Sequence, residues 1–166
     1  MNKNQKNKLI MDEIKIQAGQ IIPNRKKHRA DNQMTLGSLI KALSKERTGL
    51  PVLLSSVYQG YVDKYPGTPH SYYGYPEDLA FTASDNPITV AKFITVCETS
   101  IGNSFPGPDH ANDYYRDYIM QVSTPVWISE IDTATKNGVI DVISNASHVT
   151  LVTKEIKEEV DDAIKP

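Results

Sequence analysis

A chain of 166 residues with 39% hydrophobic side chains is long enough for one domain around a real core. Its 18 basic and 20 acidic side chains leave a formal charge of -2, so no overall field draws in long nucleic acid. One cysteine excludes an internal disulfide framework and a multi-cysteine zinc site, and no apolar run is long enough for a membrane span or a signal-peptide core.

In chain order, Leu9, Ile10, Glu13, Ile14 and Gln17 recur at helical spacing and predict a short amphipathic N-terminal helix. The basic run Arg25, Lys26, Lys27, His28, Arg29 reads as a solvated linker face. Residues 34–47 predict the first clear helix, capped by Thr35, with Leu36, Leu39, Ile40 and Leu43 on one face and Gly49 as its stop. A strand from Leu50 follows, with Val52, Leu54, Ser56 and Tyr58 on one side.

That strand runs into YQGYVDKYPGTPHSYYGYPED, residues 58–78, which holds six of the chain's nine tyrosines among glycines and prolines. Proline removes backbone donors and glycine costs entropy, so the stretch reads as a shaped surface loop. Tyrosine suits a binding loop because it offers a flat apolar face and a polar tip with few bonds to freeze.

Residues 79–83 read as a strand, and Asn86-Pro87 as a turn before a second helix at 89–101, capped by Thr89. Val90, Phe93, Ile94, Cys97 and Ile101 share its apolar stripe, which makes Cys97 a core residue rather than a nucleophile. Residues 103–113 read as a second loop that exposes Phe105 and His110. YYRDYIMQV, PVWISEI, GVIDVIS and HVTLVTK then predict a four-stranded antiparallel meander, with Asn137-Gly138 as its strongest hairpin turn. The charged end, residues 154–166, reads as a solvated tail or a terminal helix. The expected whole is an α+β single domain: a mostly antiparallel sheet covered on one face by two helices, with a helical N-terminal extension. Its divisions fall at 1–33, 34–153 and 154–166.

Three segments, MTLGSLIKAL from Met34, HSYYGYPEDLAF from His70 and STPVWISE from Ser123, resemble the motifs of a widespread group of small tailed-phage proteins. That group shows a T-x-G-x-L-I-x-A-L helix, an H-S-Y-R-G-Y-Y-x-D-L-A segment and a D-T-P-V-W strand. The likeness covers roughly residues 34–130. Tyr73 stands where the group has arginine and Pro76 where it has tyrosine, which removes any phosphate contact that arginine would carry. The resemblance extends to the phage anti-CBASS sponges, which hold cyclic dinucleotide alarm signals in a tetramer without cleaving them. It implies sequestration of such a signal, cyclic GMP-AMP for example, in the cytoplasm of the infected bacterial host.

The residues suit that task by their own chemistry. A cyclic dinucleotide presents two flat bases and two phosphates, so its binder needs aromatic platforms and polar or cationic donors. Tyr58, Tyr72, Tyr73, Tyr75, Phe105 and Trp127 can serve as platforms, with Ser71, Thr124, Lys64 and Arg116 as donors; the resemblance adds His70 as a motif position, which can equally cap a turn. Trp127 alternates with Val126 and Ile128 and can equally face the core. The expectation is a non-enzymatic, homo-oligomeric binder without cofactor or metal, in no contact with membrane. The competing readings are a phosphodiesterase using His70, Asp78, Asp109 and His110, and an inhibitor that covers a host enzyme with its aromatic loop.

Overall fold

A computed structural model describes residues 2–8, 10, 29–55, 63–109, 111–112, 114–129 and 136–157. Residues 3–8 and 10 are helical; of the residues whose spacing predicts the N-terminal helix, Ile10 alone is described, and Leu9, Glu13, Ile14, Gln17, Tyr58, His110, the stretch 130–135 and the acidic end lie outside the described residues. The main body is α+β. Helix α1 (Leu36–Leu43) and helix α2 (Val90–Ser100) pack on a six-stranded sheet. Its strands are β1 (Val52–Leu54), β2 (Tyr65–Ser71), β3 (Leu79–Ser84), β6 (Val126–Ser129), β7 (Asn137–Ser144) and β8 (Val149–Glu155), in the order β1-β8-β7-β6-β3-β2. β4 (Ser104–Asp109) and β5 (Tyr114–Ile119) form a separate two-stranded ribbon.

Both helices start as the sequence dictates. Thr35 accepts from the backbone of Ser38 while the Ser38 side chain reaches back to the Thr35 N–H, a reciprocal capping box. Thr89 does the first half of the same work for α2, accepting from Lys92. Leu36, Leu39, Leu43, Val90, Phe93 and Cys97 are fully buried against Leu79, Phe81, Val126, Ile128, Val139 and Leu151 of the sheet. Each large side chain taken from water there contributes about 1.5–3 kcal/mol.

Strand residues alternate in facing. Ala80, Trp127 and Ile140, which interleave with that list, therefore look to the opposite face, where they form a second cluster with Tyr72, Tyr75 and Ile156. The sheet is thus packed on both sides, by helices on one and by an aromatic cluster on the other.

Several elements differ from expectation. Residues 65–71, read as loop, form edge strand β2, with a register shift between Pro66 and Pro69 where proline's missing donor falls outside the ladder. Residues 104–109 are likewise strand rather than loop, and YYRDYI pairs with them instead of joining the meander. Asn137 and Gly138 are no turn: they lie inside β7, opposite Ile128 and Trp127 on one side and Glu155 and Lys154 on the other. Two of the five pairings in the main sheet, β1 with β8 and β3 with β6, are parallel.

β6 and β7 share only two residue pairs before they part, and the segment before α1 fills the gap. Met34 N–H donates to Val139 O at 2.6 Å, and Met34 O accepts from Val126 N–H at 3.0 Å. Gln33 Nε2 donates to Val126 O at 2.9 Å, and its amide packs on the bare Cα of Gly138, where a β-carbon would crowd it.

Candidate functional site

The non-helical face of the sheet gathers most of the chemistry. β3 carries Ala80 beside Trp127 of β6, and β2 carries His70 on the other side of Ala80, so these three share one face. The chain leaves β2 at Ser71, loops through 72–78 and returns as β3. The loop is closed by Tyr72 N–H to Asp78 O at 2.9 Å, Asp78 N–H to Tyr75 O at 2.8 Å, and Ser71 Oγ to Pro76 O at 2.5 Å.

This folding lays the Tyr72 ring flat on the Trp127 indole, centroids 4.6 Å apart and planes 11° from parallel. Tyr75 sits 5.5 Å from the same indole. Trp127 Nε1 donates to Asp78 Oδ2 at 2.9 Å, and Arg29 Nε donates to the same oxygen at 2.7 Å. Arg29 Nη2 reaches Glu77 Oε1 at 2.6 Å, and the guanidinium lies 4.0 Å from the Tyr75 ring centre. Lys136 Nζ lies 4.8 Å from that centre.

Burial pushes the Asp78 carboxyl up, against the pull of Arg29 and the Trp127 N–H. Burial works against the Arg29 charge too, but the hydrogen bond and charge of Asp78 and the charge of Glu77 outweigh it and hold the guanidinium above its usual value. Desolvation raises the Tyr72 phenol to about 12, with Tyr75 and Asp78 adding to the rise.

His70 stands at the edge of this cluster with both ring nitrogens engaged. Nδ1 faces Ser71 O at 2.8 Å, which can only accept, so that nitrogen carries the proton. Nε2 lies 2.8 Å from Ser129 Oγ and accepts its proton in the neutral ring.

The proposed ligand residues separate by exposure. Tyr72, Trp127, Ser71 and Thr124 are buried: the two rings stack on each other, Ser71 closes the loop, and Thr124 Oγ1 caps Gln121 N–H at 2.8 Å. These side chains act within the fold rather than as open platforms. Phe105 is half-buried against the main core, and Lys64 pairs with Asp85. Tyr73 is 72% exposed, Tyr75 and His70 are half-buried, and Arg116 is exposed, 4.9 Å from the Tyr118 ring. Of the phosphodiesterase set, Asp78 is enclosed by Arg29 and Trp127, and Asp109 takes the amides of the turn that follows it.

Arg29, Glu77, Lys136 and Ser129 are site residues that sequence reasoning missed. Arg29 ends a run of five basic residues and reads as solvated, yet it is 4% exposed. Only the buried acidic residue at the end of the tyrosine stretch hints that it needs a cation. Among the described residues no group of three His, Cys, Asp or Glu is placed to hold a metal ion. No described helix is long and apolar enough to cross a membrane. Burial pushes the Cys97 thiol up, as its place on the apolar stripe predicts.

No protein-family model, curated protein or solved structure matches the chain.

Proposed function

We propose that this protein is a phage-encoded binder that sequesters a cyclic dinucleotide defence signal in the host cytoplasm and releases it unchanged. The observation that carries the reading is the setting of Tyr75. Its half-exposed ring rests on the buried Tyr72–Trp127 stack, with a guanidinium at 4.0 Å and an ammonium at 4.8 Å, next to the exposed Tyr73. Arg29 is buried and spends its donors on Asp78 and Glu77, so it braces the ring from within, and what the ligand meets is rigid aromatic surface, on which stacking contributes about 1–3 kcal/mol per base. The three motif segments meet around this face. Trp127 of the third stacks on Tyr72 of the second, and Met34 of the first bonds to Val126 of the third.

One contact favours the phosphodiesterase reading: a serine hydroxyl 2.8 Å from an imidazole nitrogen whose other nitrogen is fixed is the pairing that activates a nucleophile. A single experiment separates the two. The protein is mixed with a panel of cyclic dinucleotides, the complexes are weighed by native mass spectrometry, and the ligand is recovered after heat. Intact ligand in proportion to protein supports sequestration. Linear product that grows with time and is lost in Ser129→Ala supports cleavage, and no bound ligand from the panel rejects both.

A further inference from the structure

The β4–β5 ribbon stands apart from the main sheet, and β5 exposes nearly all of itself: Tyr114 and Tyr115 at 76% and Ile119 at 63%. Its sequence YYRDYI contains none of the prolines or lysines that usually guard an edge strand; the ribbon's prolines, Pro106 and Pro108, are both on β4. Met120 N–H donates to Asn103 O at 3.0 Å, which fixes the ladder's phase. Stepping by two, the hydrogen-bonded pairs are Phe105 with Tyr118, Gly107 with Arg116 and Asp109 with Tyr114. Pro106 and Pro108 then fall at positions where no donor is needed. The N–H and C=O groups of Tyr115, Asp117 and Ile119 consequently point away from β4, to an edge that no described strand occupies.

We propose that this edge pairs antiparallel with β5 of a second copy, with Tyr115 opposite Asp117 of the partner subunit. A two-fold axis matches outward residues only with outward residues, which leaves two registers that use most of the strand. Each opposes one pair of like charges: Asp117 set against itself brings two short carboxylates together with no room to part, whereas the other register opposes two Arg116 side chains, whose long stems let the charges splay. Setting Tyr115 against Asp117 of the partner subunit places a phenol beside each carboxylate and brings Tyr114 opposite Tyr118 of the partner subunit, favourable cross-strand pairs formed twice. Slipping further in either direction shortens the ladder. The self-complementary pattern is why the occupant is a second copy and not an unrelated strand.

In this register the two Arg116 side chains meet across the axis. They lie on the face shared with Gly107 and Tyr118, and Gly107 packs on Ser71 at the start of the 72–78 loop. The like charges weaken the pairing without preventing it, and an anion between them strengthens it. A ligand with two phosphates fits that demand, a consequence that rests on the cyclic dinucleotide reading, whereas the pairing itself does not.

The test needs no ligand. Non-hydrogen-bonded cross-strand residues have Cα atoms about 4.5 Å apart, within disulfide reach. Under mild oxidation Arg116→Cys is expected to form a covalent dimer and Asp117→Cys a much weaker one; buried Cys97 does not compete. In sedimentation experiments Arg116→Gln should tighten self-association several-fold and Asp117→Asn should loosen it. A monomer at every concentration together with uncrosslinked Arg116→Cys overturns the proposal, as does tighter association of Asp117→Asn, which marks the opposite register. If the dimer forms and crosslinks but no cyclic dinucleotide strengthens it, the interface stands and the ligand reading falls.

Discussion

The indole N–H of Trp127 and the guanidinium of Arg29 converge on one carboxylate oxygen of Asp78, at 2.9 and 2.7 Å, and no part of that aspartate reaches solvent. Residues 49 positions apart on either side of Asp78 are thereby tied to a single group. Removing one partner of a buried ion pair leaves the other uncompensated, at a cost of about 3–5 kcal/mol. Asp78→Ala is expected to lose that much in denaturant titration. Arg29→Met with Asp78→Leu should lose clearly less, and equal losses would show that the carboxylate matters only as an acceptor for Trp127.

Tyr72 and Tyr73 are neighbours with opposite duties. Tyr72→Ala opens a hole under Trp127 and should lower stability by about 3–5 kcal/mol. Tyr73→Ala should leave the unfolding free energy within about 0.5 kcal/mol of the parent's and weaken cyclic dinucleotide binding about tenfold, the equivalent of roughly 1.4 kcal/mol of stacking. Calorimetric titration of the two folded variants checks the split. Unchanged affinity in Tyr73→Ala rejects that ring as a platform.

The phenol of Tyr72 also sets a pH dependence. Its folded-state value is raised from 10 to about 12, by burial first and then by Tyr75 and Asp78. A value raised by folding means that the protonated ring's contribution is whole below pH 10 and disappears as pH climbs toward 12. The loss amounts to roughly 2–3 kcal/mol at full titration. Tyr72→Phe should keep the stacked ring and show a shallower alkaline decline than the parent; superimposable curves would place the alkaline transition elsewhere.

Gly107 faces the side chain of Ser71, and a methyl group there would overlap the serine oxygen. Gly107→Ala should therefore destabilise the docked ribbon by about 1–3 kcal/mol. Ser71→Gly in the same chain should recover part of that loss. No recovery would mean that the strain falls on Tyr118, whose ring also approaches this point.

The legible parts of the chain were those in which one face is apolar at a regular period. Leu36 to Leu43 and Val90 to Cys97 read directly as core-facing helices, and their caps at Thr35 and Thr89 read with them. Edge strand β2 was hidden because two of its residues are prolines, which an edge tolerates and an interior strand does not. Asn137-Gly138 carries a turn signature, but Gly138 lies in a strand where the Ile156 side chain and the Gln33 amide both crowd the place a β-carbon would take, and Gln33 comes from a segment more than a hundred positions away. The tyrosine stretch correctly marked the place where the chemistry gathers. It could not tell Tyr72, laid against Trp127, from Tyr73, turned to water, because neither side chain's facing follows a period within a closed loop. Arg29 was out of reach for the same reason: its partner is chosen by the fold.

Met34 sits between Val126 and Val139, and Val52 lies beside Val149. Segments made early thus wait for partners made last. While the chain is being synthesised, β1 bonds early to the segments around it, Leu54 N–H to Lys64 O at 2.8 Å and Val52 N–H to Ile88 O at 2.9 Å, but its ladder partner β8 is made last, so the sheet closes only after nearly all of the described chain has emerged. A product cut short before Val149 would lack β8, and β1 would have no strand paired with it in the sheet. Such fragments should be rapidly degraded or held by chaperones, and soluble protein should accumulate only from complete chains.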